Sequence, residues 1–251
     1  MLIRIDSLDI HYKRLGSGDA LIMLHGWGHN LGYFLELANT LTKSFTIYLL
    51  DLPGFGLSSL PNSIFSTNDY AKLVEKFIIQ LNIDSPVILG HSFGGKITLH
   101  LATKNIPKKI IIMGSPGIKQ PRPLGFYLRI HFFRVLKKIS SLFSYCGLHL
   151  CAFKSYLKKF GSQDYRNAQG IMRKILVKVI EEDVEPLLTR ITVPSLLIWG
   201  ELDQETPVSV GKIMGKKLAN SKLEIIPNGG HLLCLDNFLA IRKIIDEFLC
   251  V

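Results

Sequence analysis

With 251 residues, 47% of them apolar and 20% charged, the chain is long enough for one large α/β domain and too apolar for a disordered or fibrous protein. Its formal net charge is +10, yet no nucleic-acid-binding module is recognisable, so nucleic-acid binding is not expected. Arg4, Asp6 and Asp9 stand where a secretory signal would need an apolar core, and no apolar run reaches the roughly 18 to 20 residues of a membrane span. Cys146, Cys151, Cys234 and Cys250 form no C-x-x-C pair and lie in apolar surroundings, which predicts buried thiols, neither a disulfide framework nor a zinc site. Together these features predict a cytoplasmic location.

Short apolar runs alternate with segments of helical period. Strands are expected at Leu2 to Ile5, Ile10 to Leu15, Leu21 to Leu24, Phe45 to Leu50, Val87 to Leu89, Ile110 to Met113, Leu196 to Trp199 and Leu223 to Ile226. Helices are expected near Tyr70 to Leu81, Gly95 to Lys104, Val208 to Leu218 and Asn237 to Leu249, where apolar residues recur at three and four. Strands separated by helices imply an eight-stranded, mostly parallel sheet, with the first two strands close enough to pair as a hairpin. From about Ile118 to Glu185 no strand is legible, but Leu124, Leu128, Phe132, Val135, Leu136 and Ile139 keep a helical period. A structureless loop of that length is improbable inside a compact domain, so residues 118–185 read as a helical cap inserted into a single domain spanning 1–251.

The strand Pro86-Val87-Ile88-Leu89 runs into Gly90-His91-Ser92-Phe93-Gly94 and then a helix, which is G-x-S-x-G in the context of a nucleophile elbow. A sharp strand-to-helix turn lifts the serine out of the backbone, and small residues two before and two after avoid collision with neighbouring chain. A serine hydroxyl is a poor nucleophile until an imidazole takes its proton, and that imidazole needs a carboxylate to fix its tautomer. The strand ending at Gly200 leads to Glu201-Leu202-Asp203, and the strand ending at Ile226 leads to Pro227-Asn228-Gly229-Gly230-His231. His231 is therefore the candidate base and Asp203 the candidate acid, preferred to Glu201 because it lies deeper in its loop. Asp236, on the way into the last helix, reads as a helix cap.

A tetrahedral intermediate also needs two donors. The amide of Phe93, just after Ser92, supplies one, and the amide of Trp27 in His25-Gly26-Trp27-Gly28 is the candidate for the other. His25 and His91 flank the site and read as supporting residues, not bases. The chain order Ser, Asp, His and these segments, together with Asp51-Leu52-Pro53-Gly54-Phe55-Gly56-Leu57-Ser58, resemble the α/β-hydrolase superfamily over nearly the whole length. That resemblance implies the α/β-hydrolase fold, a structural turn at Asp51 and serine hydrolase chemistry that uses no cofactor and no metal. Serine at the elbow in place of aspartate argues against the dehalogenase and epoxide hydrolase branches. Esterases, thioesterases, carbon-carbon bond hydrolases, haloperoxidases and acyltransferases remain open, as does a ligand-binding receptor that keeps the fold.

Between Lys119 and Lys178 thirteen Lys and Arg face a single acid, Asp164, a local net of +12. Concentrated positive charge beside a site raises the local concentration of an acidic partner. An acidic acyl carrier protein, an anionic membrane surface touched peripherally or a small anionic ester would fit, as would a solvated lysine-rich face with no partner. His25-Gly26-Trp27-Gly28, the chain length and the basic cap are also similar to the esterases that cleave pimeloyl-carrier-protein methyl ester. A cap docking site would include Arg122, Arg129, Arg134, Lys137 and Lys138.

Overall fold

The computed structural model describes residues 1–119, 132, 135 and 162–250. Eight strands form one sheet: β1 (Leu2–Ile5), β2 (Leu8–Leu15), β3 (Asp19–Leu24), β4 (Phe45–Leu50), β5 (Val87–His91), β6 (Lys109–Met113), β7 (Ser195–Gly200) and β8 (Ser221–Ile226), in the order β1-β2-β4-β3-β5-β6-β7-β8. β2 pairs antiparallel with both β1 and β4, and every later pairing is parallel. The expected hairpin is present, with Ile5 opposite Leu8 across a two-residue turn in which Asp6 takes φ 52°.

The helices described in full are α1 (Leu35–Leu41), α2 (Thr67–Gln80), α3 (Phe93–Ala102), α4 (Gln163–Asn167), α5 (Gly170–Glu181), α6 (Glu185–Leu188), α7 (Val208–Lys217), α8 (Leu233–Asp236) and α9 (Phe238–Leu249). They cover both faces of the sheet, and the alternation of side chains along each strand decides which residue meets which layer. Ile22 and Leu24 of β3 pack with Tyr70, Val74 and Phe77 of α2, whereas Leu21 and Met23 pack on the opposite face with Leu37 and Leu41 of α1 and Ile241 and Ile245 of α9. β4, β5 and β7 are buried throughout; the edge strand β8 is mostly half-buried or exposed.

Two sequence expectations fall partly outside the described residues. Of the helix expected over Leu124 to Ile139, Phe132 and Val135 are described, and both are helical. Cys146 and Cys151 lie outside as well. Cys234 is buried, as expected, but Cys250 is exposed because it sits in the left-handed position that ends α9, at φ 63°. Among the described residues no helix is long and apolar enough to cross a membrane.

Candidate active site

The parallel strands all end at one edge, and the candidate residues sit on the loops that leave it. Ser92 directly follows β5 at φ 49° and ψ −113°, a conformation that costs on the order of 1 to 3 kcal/mol for a non-glycine residue. Its surroundings hold it there: the Ser92 amide donates to the Met113 carbonyl at 2.8 Å, and the Ser115 hydroxyl donates to the Ser92 carbonyl at 3.0 Å. A methyl on Gly94 would stand 2.0 Å from the Leu24 carbonyl oxygen, and one on Gly90 would stand 2.4 Å from that of Gly94. No alanine fits at either position, which is the physical content of the G-x-S-x-G spacing.

α3 begins at Phe93, two residues before the expected start, because the Ser92 carbonyl already accepts from the Gly95 amide at 3.0 Å. The Trp27 and Phe93 rings meet edge to face at 5.4 Å, so the loop after β3 and the start of α3 are packed side by side. Gly26 is pressed against the elbow, where a methyl would come within 2.8 Å of the His91 Nδ1 and 3.2 Å of the Ser92 Cβ.

His231 Nδ1 donates to Asp203 Oδ2 at 2.7 Å, while the other Asp203 oxygen accepts the amides of Glu205 at 2.9 Å and Thr206 at 2.7 Å. Burial works to lower the His231 pKa, but the hydrogen bond and charge of Asp203, joined by the charges of Glu205 and Asp164, outweigh it, and the net shift is upward. Ser92, His231, Trp27 and Phe93 line one open cleft. Glu201 is turned away and accepts the Asn228 amide at 3.0 Å. Asp236 ends the short helix α8 and does not cap α9, whose N-cap is Asn237.

The flanking histidines are supporting groups with assigned protons. His25 accepts the Leu52 amide at Nε2 (3.0 Å), so its proton is on Nδ1 and goes to the Gly26 carbonyl at 2.8 Å; burial pushes its pKa down to about 4. His91 Nε2 donates to the His231 carbonyl at 3.0 Å, and its ring stacks on Tyr33 at 4.5 Å; burial and the neighbouring His231 hold it well below the usual histidine range. Asp51 is a turn organiser. Its carboxylate accepts the amides of Leu31 (2.7 Å) and Leu57 (2.9 Å) and the His11 Nδ1–H (2.8 Å), and a methyl on Gly56 would strike it.

Four neighbours carried no motif. Gly114, at φ 50°, runs beside Asp203 and His231, and a methyl there would stand 3.1 Å from Asp203 Oδ2. His29, Asp164 and Glu205 also face the cleft. Glu205, two residues beyond Asp203, could have been found from its loop, whereas Asp164 comes from α4 and no spacing links it to the site. Among the described residues no group of three or more His, Cys, Asp or Glu could hold a metal ion.

A mostly parallel eight-stranded sheet with a strained serine after β5, and a hydrogen-bonded aspartate and histidine on the loops after β7 and β8, defines the α/β-hydrolase architecture. The family model described as alpha/beta hydrolase fold matches residues 19–238, and the chain belongs to that family. It is 27% identical over 285 residues to the uncharacterized hydrolase YugF of Bacillus subtilis (strain 168), covering 98% of this chain and 96% of the relative. It is also 27% identical to the pimeloyl-[acyl-carrier protein] methyl ester esterase of Wigglesworthia glossinidia brevipalpis, covering 95% and 96%. The solved esterase from Exiguobacterium antarcticum shares the fold with a TM-score of 0.77 at 23% identity, covering 98% of this chain and 97% of that one.

Proposed function

We propose that this chain is a serine hydrolase that cleaves a carboxylic ester or thioester through an acyl-enzyme. Ser92 attacks the carbonyl carbon while His231 Nε2 takes its proton; Asp203 orients the imidazole and stabilises its charge. The amides of Trp27 and Phe93 hold the oxyanion. The acyl–oxygen or acyl–sulfur bond then breaks, and the leaving group departs with the proton from Nε2. Water enters, gives a proton to the same nitrogen and its hydroxyl to the acyl carbon, and releases the acid and Ser92.

The observation that carries this reading is the strained Ser92 held in the same cleft as a 2.7 Å His231–Asp203 pair. The esterase names among the relatives support an ester as substrate. The basic segment between Lys119 and Lys178, as part of a helical cap, and the carrier-protein esters named for several relatives support an acidic acyl carrier protein as the partner that presents the acyl chain.

Hydrolysis of p-nitrophenyl esters from acetyl to palmitoyl tests the proposal. Turnover should be lost in Ser92→Ala by a factor of about 10⁴ or more, with unchanged folding by circular dichroism. Full turnover in that variant would sink the assignment.

A further inference from the structure

Glu205 and Asp164 have no part in the chemistry above, yet both stand at its centre. Glu205 Oε2 lies 3.5 Å from His231 Nε2, the nitrogen opposite the one that Asp203 holds. In acyl transfer that nitrogen returns a proton to the departing group, so the alcohol part of an ester must stand beside it. Asp164 approaches from α4, with Oδ1 3.5 Å from the point where a Cβ on Gly28 would lie. Burial and the charge of Glu205 raise the Asp164 pKa, and both carboxylates contribute to raising that of His231, so the two act on one small volume.

The Lys96 ammonium lines the cleft but is turned into the carbonyls of Val179 and Glu182, at the end of α5. His29 is half-buried, and burial lowers its pKa, which favours the neutral ring. Lys119 is the other basic lining residue.

We infer that Glu205 and Asp164 form an anionic wall that selects esters by the charge of the alcohol part, favouring an ammonium-bearing group over a neutral one and opposing a carboxylate. The inference rests on the acyl-transfer reading of this site. It concerns the group beside His231 Nε2 and leaves the acyl chain and any docking partner unconstrained.

The test uses three butyrate esters at low ionic strength: choline, its neutral isostere 3,3-dimethylbutanol, and 4-hydroxybutyrate. For the wild type, kcat/KM should fall in that order, with the choline ester ahead of the isostere by about tenfold, a margin that shrinks in high salt. Glu205→Gln should bring the choline-to-isostere ratio down to about 2, and Glu205→Lys should invert it. The backbone amide of Glu205, not its side chain, holds Asp203, so both variants keep that turn. A ratio of one in the wild type, or one unmoved by either substitution, overturns the inference alone. Turnover of none of the three esters overturns the acyl-transfer reading and this inference with it.

Discussion

Asp203 is buried, and its two oxygens are engaged separately. Oδ1 accepts two amides of its own loop, and Oδ2 faces His231 Nδ1–H. In Asp203→Asn the amides at Oδ1 still select an oxygen there, so the new NH₂ group points at Nδ1. That nitrogen must then accept, the ring proton moves to Nε2, and the base can no longer receive the serine proton. kcat should fall by about 10⁴-fold with the fold intact. The wild-type pH profile gives a second check. The working imidazole is neutral and its pKa lies above the ordinary 6.5, so kcat/KM should still be rising as pH passes 6.5. A plateau already reached at pH 6 would contradict the shift. Ser92, Asp203 and His231 are legible in the sequence because each stands at or just beyond the end of a short apolar run with glycine close by: Gly90 and Gly94 around Ser92, Gly200 before Asp203, and Gly229 and Gly230 before His231. Glu205 could have been found from the loop it shares with Asp203, but Asp164 could not, because it comes from α4 and only the fold brings that helix to the cleft.

At the scale of elements, two glycines of α7 separate packing need from helix propensity. A methyl on Gly211 would stand 2.7 Å from the buried Trp199 ring, whose Nε1–H is fixed by the Thr206 carbonyl at 2.9 Å. A methyl on Gly215 would meet nothing closer than the Leu197 Cδ1 at 3.6 Å, an ordinary contact. Gly211→Ala should therefore destabilise the protein by about 1 to 3 kcal/mol through overpacking. Gly215→Ala should stabilise it by about 0.5 to 1 kcal/mol through helix propensity. Chemical denaturation of the two variants reads both signs, and equal shifts would refute the distinction. The same contrast explains what is legible in the fold. All eight strands can be placed from sequence within a few residues, because central strands covered on both faces are continuous apolar runs. The seven-residue α1 and the 3₁₀ turn Leu31–Phe34 before it cannot. Both are too short to establish a period, and Leu31–Phe34 is held by Asn30 and Asp51 side chains, not by local propensity.

For the whole molecule, the histidines set how stability responds to acid. His25, His29, His91 and His100 all have pKa values pushed down chiefly by burial. A group depressed in the folded state stabilises above its unfolded value, near 6.5, and that stability is lost as pH falls toward the folded value. For His25 the window runs from 6.5 to about 4, at about 1.4 kcal/mol per pH unit for a fully buried group. His91 acts with the same sign. His231 is shifted upward, so its contribution is complete below 6.5 and is lost only as pH rises, and it offsets nothing on the acid side. The urea midpoint should therefore decline from just below pH 6.5, well before the carboxylates titrate, and a flat midpoint between pH 7.5 and 5 would refute this. Protonating His25 adds a proton to the nitrogen that accepts the Leu52 amide, and protonating His91 places charge against His231, so acid strikes first at the loops carrying Trp27 and His231. Hydrogen exchange at Leu52 should consequently rise ahead of the sheet below pH 6, after protonation of His231 has already lowered kcat/KM.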